Sequence, residues 1–71
     1  MIVVFLANGF EEVEAIATID LLRRAELEVK TAAVGIGTIV NGSHGMQIIA
    51  DMPADKVDLS KADTKNGAYP V

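Results

Sequence analysis

The first seven residues, Met1-Ile2-Val3-Val4-Phe5-Leu6-Ala7, form an unbroken apolar run rich in β-branched side chains. Apolar and polar positions do not alternate, so neither face of this strand suits water. A strand covered on both faces belongs inside a parallel sheet. Parallel neighbours need a crossover rather than a tight hairpin, and the chain supplies one. Asn8-Gly9 breaks the run, and residues from Glu11 to about Ala25 read as a helix. Acids fill its first turn and Arg23-Arg24 its last, which matches the helix dipole. Leu27 to Val34 reads as a second strand. Residues 1–34 therefore predict a βαβ unit with parallel strands and a right-handed crossover.

Gly35 and Gly37 mark a turn beyond that unit. Thr38-Ile39-Val40-Asn41 and Met46-Gln47-Ile48-Ile49-Ala50 flank Gly42-Ser43-His44-Gly45, which predicts a hairpin within 38–50. Pro53 to Val57 fits one helical turn with proline at its start. Residues 60–71 form a polar, divergent tail, in which Lys65-Asn66-Gly67 reads as a turn or a frayed terminus. The stretch from Ala62 to Val71 suits a central strand poorly, because Pro70 has no N–H for a ladder. The fold class is α/β: a βαβ unit followed by a β-hairpin.

Composition narrows the function classes. Half of the 71 residues are hydrophobic (51%), so a packed core is expected. Six basic against ten acidic residues give a charge of −4. That sign opposes nucleic acid and anionic membrane surfaces, and no Lys/Arg cluster offsets it locally. The opening apolar run is too short to span a bilayer and has no basic flank, so a cytoplasmic chain is expected. There are no cysteines, hence no disulfide, zinc knuckle or thiol nucleophile within these residues. A dinucleotide site would need a glycine-rich turn, whereas one glycine here precedes three carboxylates that would repel phosphate. No cofactor or metal ion is expected.

At 100° per residue, Val13, Ala17 and Leu21 fall on one side of the helix and Ala15, Ile19 and Leu22 roughly opposite, with Ile16 off both. One side packs on the sheet. The other meets a partner, most simply a second copy, or consists of small alanines that water tolerates. Ile19 and Leu22 are not small, which favours the partner over the second account. Glu11 and Glu12 read as acids that favour the positive helix end. Glu14 lies between the apolar faces and could be drawn toward the sheet, where a partly buried carboxyl handles protons near neutrality. Asp20 and Arg24 are four apart and form a plausible surface pair. His44, the single histidine, sits in a turn and is expected to be solvated.

The run Val3 to Ala15 with its Gly9-Phe10-Glu11-Glu12-Val13-Glu14 element, then Asp20-Leu21-Leu22-Arg23-Arg24-Ala25 and Ser43-His44-Gly45, resembles the amino-terminal part of the ThiJ/PfpI/DJ-1 superfamily, nearest its DJ-1-like branch. The resemblance runs from residue 1 to about 59. It implies the first part of a flavodoxin-like, doubly wound sandwich with an incomplete sheet. It also implies a homodimer that packs through the first helix and the hairpin. The glutamate matching Glu14 is implied to hydrogen-bond a reactive cysteine on a later elbow, which would lie outside this chain. Relatives are described as glyoxalases or deglycases acting on reactive aldehydes, and as oxidative-stress-response proteins. Gly9, Glu11, Asp20, Arg24 and His44 become supporting or interface positions. Many relatives have arginine at His44, paired with the partner's glutamate matching Glu11, so a histidine there would make that contact depend on pH. Glu26 stands where relatives usually end the helix with glycine, at a cost of roughly 1 kcal/mol if the backbone is left-handed. A non-catalytic self-association module is the alternative reading.

Overall fold

A computed structural model describes residues 1–58 and 68–70. Strand β1 (Ile2–Leu6) is followed by helix α1 (Glu12–Arg24) and strand β2 (Val29–Ala33). β1 and β2 pair in parallel from Ile2↔Val29 to Leu6↔Ala33. The βαβ unit forms as its apolar pattern requires. Strands β3 (Ile39–Asn41) and β4 (Gln47–Ile49) make the hairpin as a separate antiparallel pair, with Val40 opposite Ile48. Strand β5 (Met52–Pro53) joins β2 in parallel, and a short 3-10 turn at Ala54–Lys56 follows Pro53.

Strand β6 (Ala68–Pro70) is an element that the reading of the tail did not include. It pairs in parallel with β1, from Val3↔Ala68 to Phe5↔Pro70. The order β5-β2-β1-β6 puts β6 outermost among the described strands, a position that accommodates proline. The remainder of the proposed tail, residues 60–67 and 71, lies outside the described residues.

β1 sits inside this sheet, and its alternate side chains face opposite ways. Ile2, Val4 and Leu6 enter the core with Val29, Ala33, Phe10, Ala15, Ile19, Val40 and Ala50. Val3 is equally inaccessible at 0% exposure but stands outside that cluster. Burial on both sides is what the lack of alternation in the run predicts.

Helix α1 lies on the sheet through Ala15 and Ile19, with Leu22 partly buried beside them. Here the structure corrects the account of the outer face. Ile19 and Leu22 are on the sheet side, and the water side carries Val13 at 82% and Leu21 at 66% exposure. Along this stripe the small Ala15 precedes the larger Ile19 and Leu22, and all three pack toward the core.

The chain leaves α1 through Glu26, whose φ is 64°. The amide of Glu26 donates to Arg23 O at 3.0 Å and that of Leu27 to Leu22 O at 3.2 Å, closing the helix end. A side chain in this left-handed conformation costs free energy that glycine does not. Glu26→Gly is therefore expected to stabilise the chain by about 0.5–1 kcal/mol, read as a higher urea midpoint at unchanged m. An unchanged or lower midpoint would show that the strain is absorbed elsewhere.

Candidate functional site

The turn after β1 is where a parallel sheet presents chemistry, at the carboxyl ends of its strands. Gly9 reverses the chain with φ 92°, and its amide donates to Asn41 O at 2.8 Å. The amide of Asn41 donates in return to Asn8 Oδ1 at 3.0 Å. One residue further, the Ser43 amide donates to Phe10 O at 2.9 Å. Residues 8–10 thus run along the hairpin and hold it against the start of α1.

Glu12 completes the junction. It is 5% exposed, and its carboxylate faces the hairpin turn. Oε2 accepts from the amides of His44 at 2.7 Å and Met46 at 3.3 Å. Oε1 accepts from Ser43 Oγ at 3.3 Å and lies 3.1 Å from His44 Nδ1. Burial by itself would push this carboxyl up, but hydrogen bonds from its own amide, the His44 ring and amide, and the Met46 amide outweigh it. The result is a pKa held down to about 2. Gly42 permits the approach: a Cβ there would come within 2.4 Å of Glu12 Oε2.

This arrangement corrects two readings of the first turn. Glu12 is a buried anchor rather than one of several interchangeable dipole acids. Glu14, expected to be partly buried, is exposed. It lies 200° around the helix from Glu12, and the face that carries Glu12, Ala15 and Ile19 takes the sheet. No described residue hydrogen-bonds its carboxylate. Glu11 is the N-cap residue, exposed, with no side-chain capping bond.

His44 is solvated, as expected, with 77% of its side chain exposed, yet its ring contacts Glu12 of the same chain. The hydrogen bond and charge of Glu12, with the charge of Glu11 behind it, raise the imidazole above its ordinary pKa. Ligand atoms of Glu11, Glu12 and His44 fall within 4.8 Å of one another. Each oxygen of Glu12 already meets two hydrogen-bonding groups, so the geometry is that of an anchor rather than an open coordination site.

A second polar junction, at the other end of α1, was not anticipated from sequence. Arg23 Nη2 donates to Val29 O at 3.1 Å and to Asp51 Oδ2 at 3.2 Å. Asp51 Oδ2 also accepts from the Thr31 amide at 2.8 Å and Thr31 Oγ1 at 3.1 Å, while the Asp51 amide donates to Thr31 Oγ1 at 2.9 Å. Burial raises the Asp51 carboxyl, but the Thr31 hydrogen bonds and the charges of Arg23 and Lys30 leave it below its ordinary value. Asp20 accepts from Arg24 Nε at 2.8 Å on the exposed helix surface, the i,i+4 pair that the spacing suggests.

Residues 1–64 match the DJ-1/PfpI family. The chain belongs to this family. It is 45% identical over 56 residues to Protein DJ-1 homolog A of Arabidopsis thaliana, which covers 79% of this chain and 14% of that protein. The structure of oxidized DJ-1 from Toxoplasma gondii matches with a TM-score of 0.77 and 37% identity, over 86% of this chain and 33% of the other. A DJ-1 superfamily protein of Salmonella typhimurium matches with a TM-score of 0.72 and 39% identity, over 78% of this chain and 30% of the other. The chain thus spans between a seventh and a third of the length of these relatives. Its mixed α/β architecture is a partial sheet of the flavodoxin-like DJ-1 fold. Among the described residues no helix is long and apolar enough to cross a membrane.

Proposed function

We propose that this chain is the amino-terminal segment of a DJ-1-like stress-response protein that acts on reactive aldehydes as a glyoxalase or deglycase in the cytoplasm. Family membership over residues 1–64 carries the reading. Glu14 is its proton-handling residue, in the first turn of α1 and exposed, so that a cysteine contributed from outside these 71 residues could reach it. Gly9 and the Glu12 anchor fix the turn that presents it. No cofactor enters the proposal. Methylglyoxal consumption tests it. The 71 residues alone are expected to be inactive, and joining them to the cysteine-bearing remainder of a relative is expected to restore turnover. Glu14→Ala in the joined protein is expected to lose ~100-fold or more of that activity, the scale of one general acid–base group. Turnover that survives Glu14→Ala unchanged would remove the catalytic assignment.

The second reading, self-association without catalysis, rests on the water side of α1. Val13, Ile16 and Ala17 line a shallow groove with Met46 of the hairpin turn, and Val13 and Met46 are 82% and 56% exposed. A second copy packed through α1 and the hairpin would cover this surface, with Glu11, Asp20, Arg24 and His44 around its rim.

A further inference from the structure

His44 is the one ionisable side chain between Lys30 and Asp51, a span that contains the whole hairpin. The hairpin therefore has a single place where pH can act on it directly. That place faces the start of α1, where Glu12 contacts the imidazole at 3.1 Å and Glu11 adds its charge. From the hairpin itself only the hydroxyl of Ser43 faces the ring, 2.9 Å from Nδ1. The other bonds that dock the hairpin on residues 8–12 join amides, carbonyls, the Asn8 amide oxygen, the Ser43 hydroxyl and the Glu12 carboxylate. Glu12 stays ionised throughout the neutral range, so near neutrality the imidazole is the group in this junction that changes charge.

We propose that the His44–Glu12 pair is an intrachain latch, which tightens the docking of the β3–β4 hairpin on the start of α1 in mild acid and loosens it above neutrality. The sign follows from linkage. A proton bound more tightly in the docked state favours docking below pH 6.5, and the advantage is lost as pH rises through the higher value of the docked imidazole. Exposure of the ring keeps the effect modest, within the range of a solvent-screened pair. The carboxylate end is fixed by amides whether or not His44 is charged, so the latch adjusts the hairpin without unfolding it. The contact lies within one chain.

Amide hydrogen exchange on the 71-residue chain, corrected for intrinsic rates, tests the latch between pH 5.5 and 8. The readout is protection of Gly9 and Ser43, whose amides bond Asn41 O and Phe10 O across the docking contact, relative to Val34, whose amide bonds Leu6 O in the sheet. The ratio is expected to fall about two- to five-fold from acid to base, and the change to shrink in 1 M salt. His44→Gln is expected to give a flat ratio at the weakly protected level. A ratio independent of pH in the parent chain, or an equal pH response in His44→Gln, would overturn the proposal. Direct titration of the imidazole is a second reading. A value at or below 6.5 in the folded chain would overturn it as well.

Discussion

Replacing Glu12 with alanine is expected to lower the thermal midpoint of the chain by on the order of 5–15 °C, because the amides of His44 and Met46 lose their acceptor in a nearly closed site. Glu11→Ala and Glu14→Ala provide the contrast. Both residues are exposed, and their contribution to the helix end is the small one typical of surface acids. Three comparable losses would mean that Glu12 is another dipole acid; one large loss and two small ones identify the anchor. The same residue sets the acid limit of the fold. With its pKa lowered from 4.5 to about 2, Glu12 contributes stability that is present above pH 4.5 and drains away as pH falls toward 2. Acid unfolding followed by circular dichroism should show this loss in the parent chain and less of it in Glu12→Gln.

Gly42→Ala is expected to cost about 1–3 kcal/mol, since the new methyl meets a carboxylate that four hydrogen-bonding groups hold in place. The backbone of Gly42 does not have a positive φ, so the cost is one of contact rather than conformation. A double-mutant cycle separates the two. With Glu12→Ala present the obstruction is gone, and Gly42→Ala should become neutral or stabilise by up to ~1 kcal/mol through the unfolded chain. Urea unfolding of the four proteins measures the cycle. Additive effects would refute a direct collision between the two positions.

Much of this was legible in the residues. The unalternating run of β1 demanded two covered faces, and the dipole-matched helix after it demanded a parallel return strand. The hairpin followed from two short apolar stretches around Gly42-Ser43-His44-Gly45. The roles of the three glutamates were not legible in the same way. Adjacent acids in a first turn look alike until the rotation of the helix is known, and rotation depends on which apolar side the sheet accepts. A signal was present: extending the stripe of Leu22, Ile19 and Ala15 back by three residues lands on Glu12. Preferring Val13, Ala17 and Leu21 as the sheet side hid it. The Arg23–Asp51–Thr31 junction joins groups 20 and 28 residues apart, and no local pattern announces such a contact. The strand at Ala68–Pro70 was obscured because proline argues against a central position, and among the described strands it lies outermost.

Helix α1 is pinned at both extremities, by Glu12 to the hairpin and by Arg23 to the strand that follows. A rod fastened at two points neither rolls nor slides, so its orientation owes nothing to the side chains it shows to water. Val13, Ala17 and Leu21 are thereby released from structural duty. Substitutions there can rewrite what the outward surface recognises while the scaffold beneath keeps its shape, which makes this strip the natural place to redesign association.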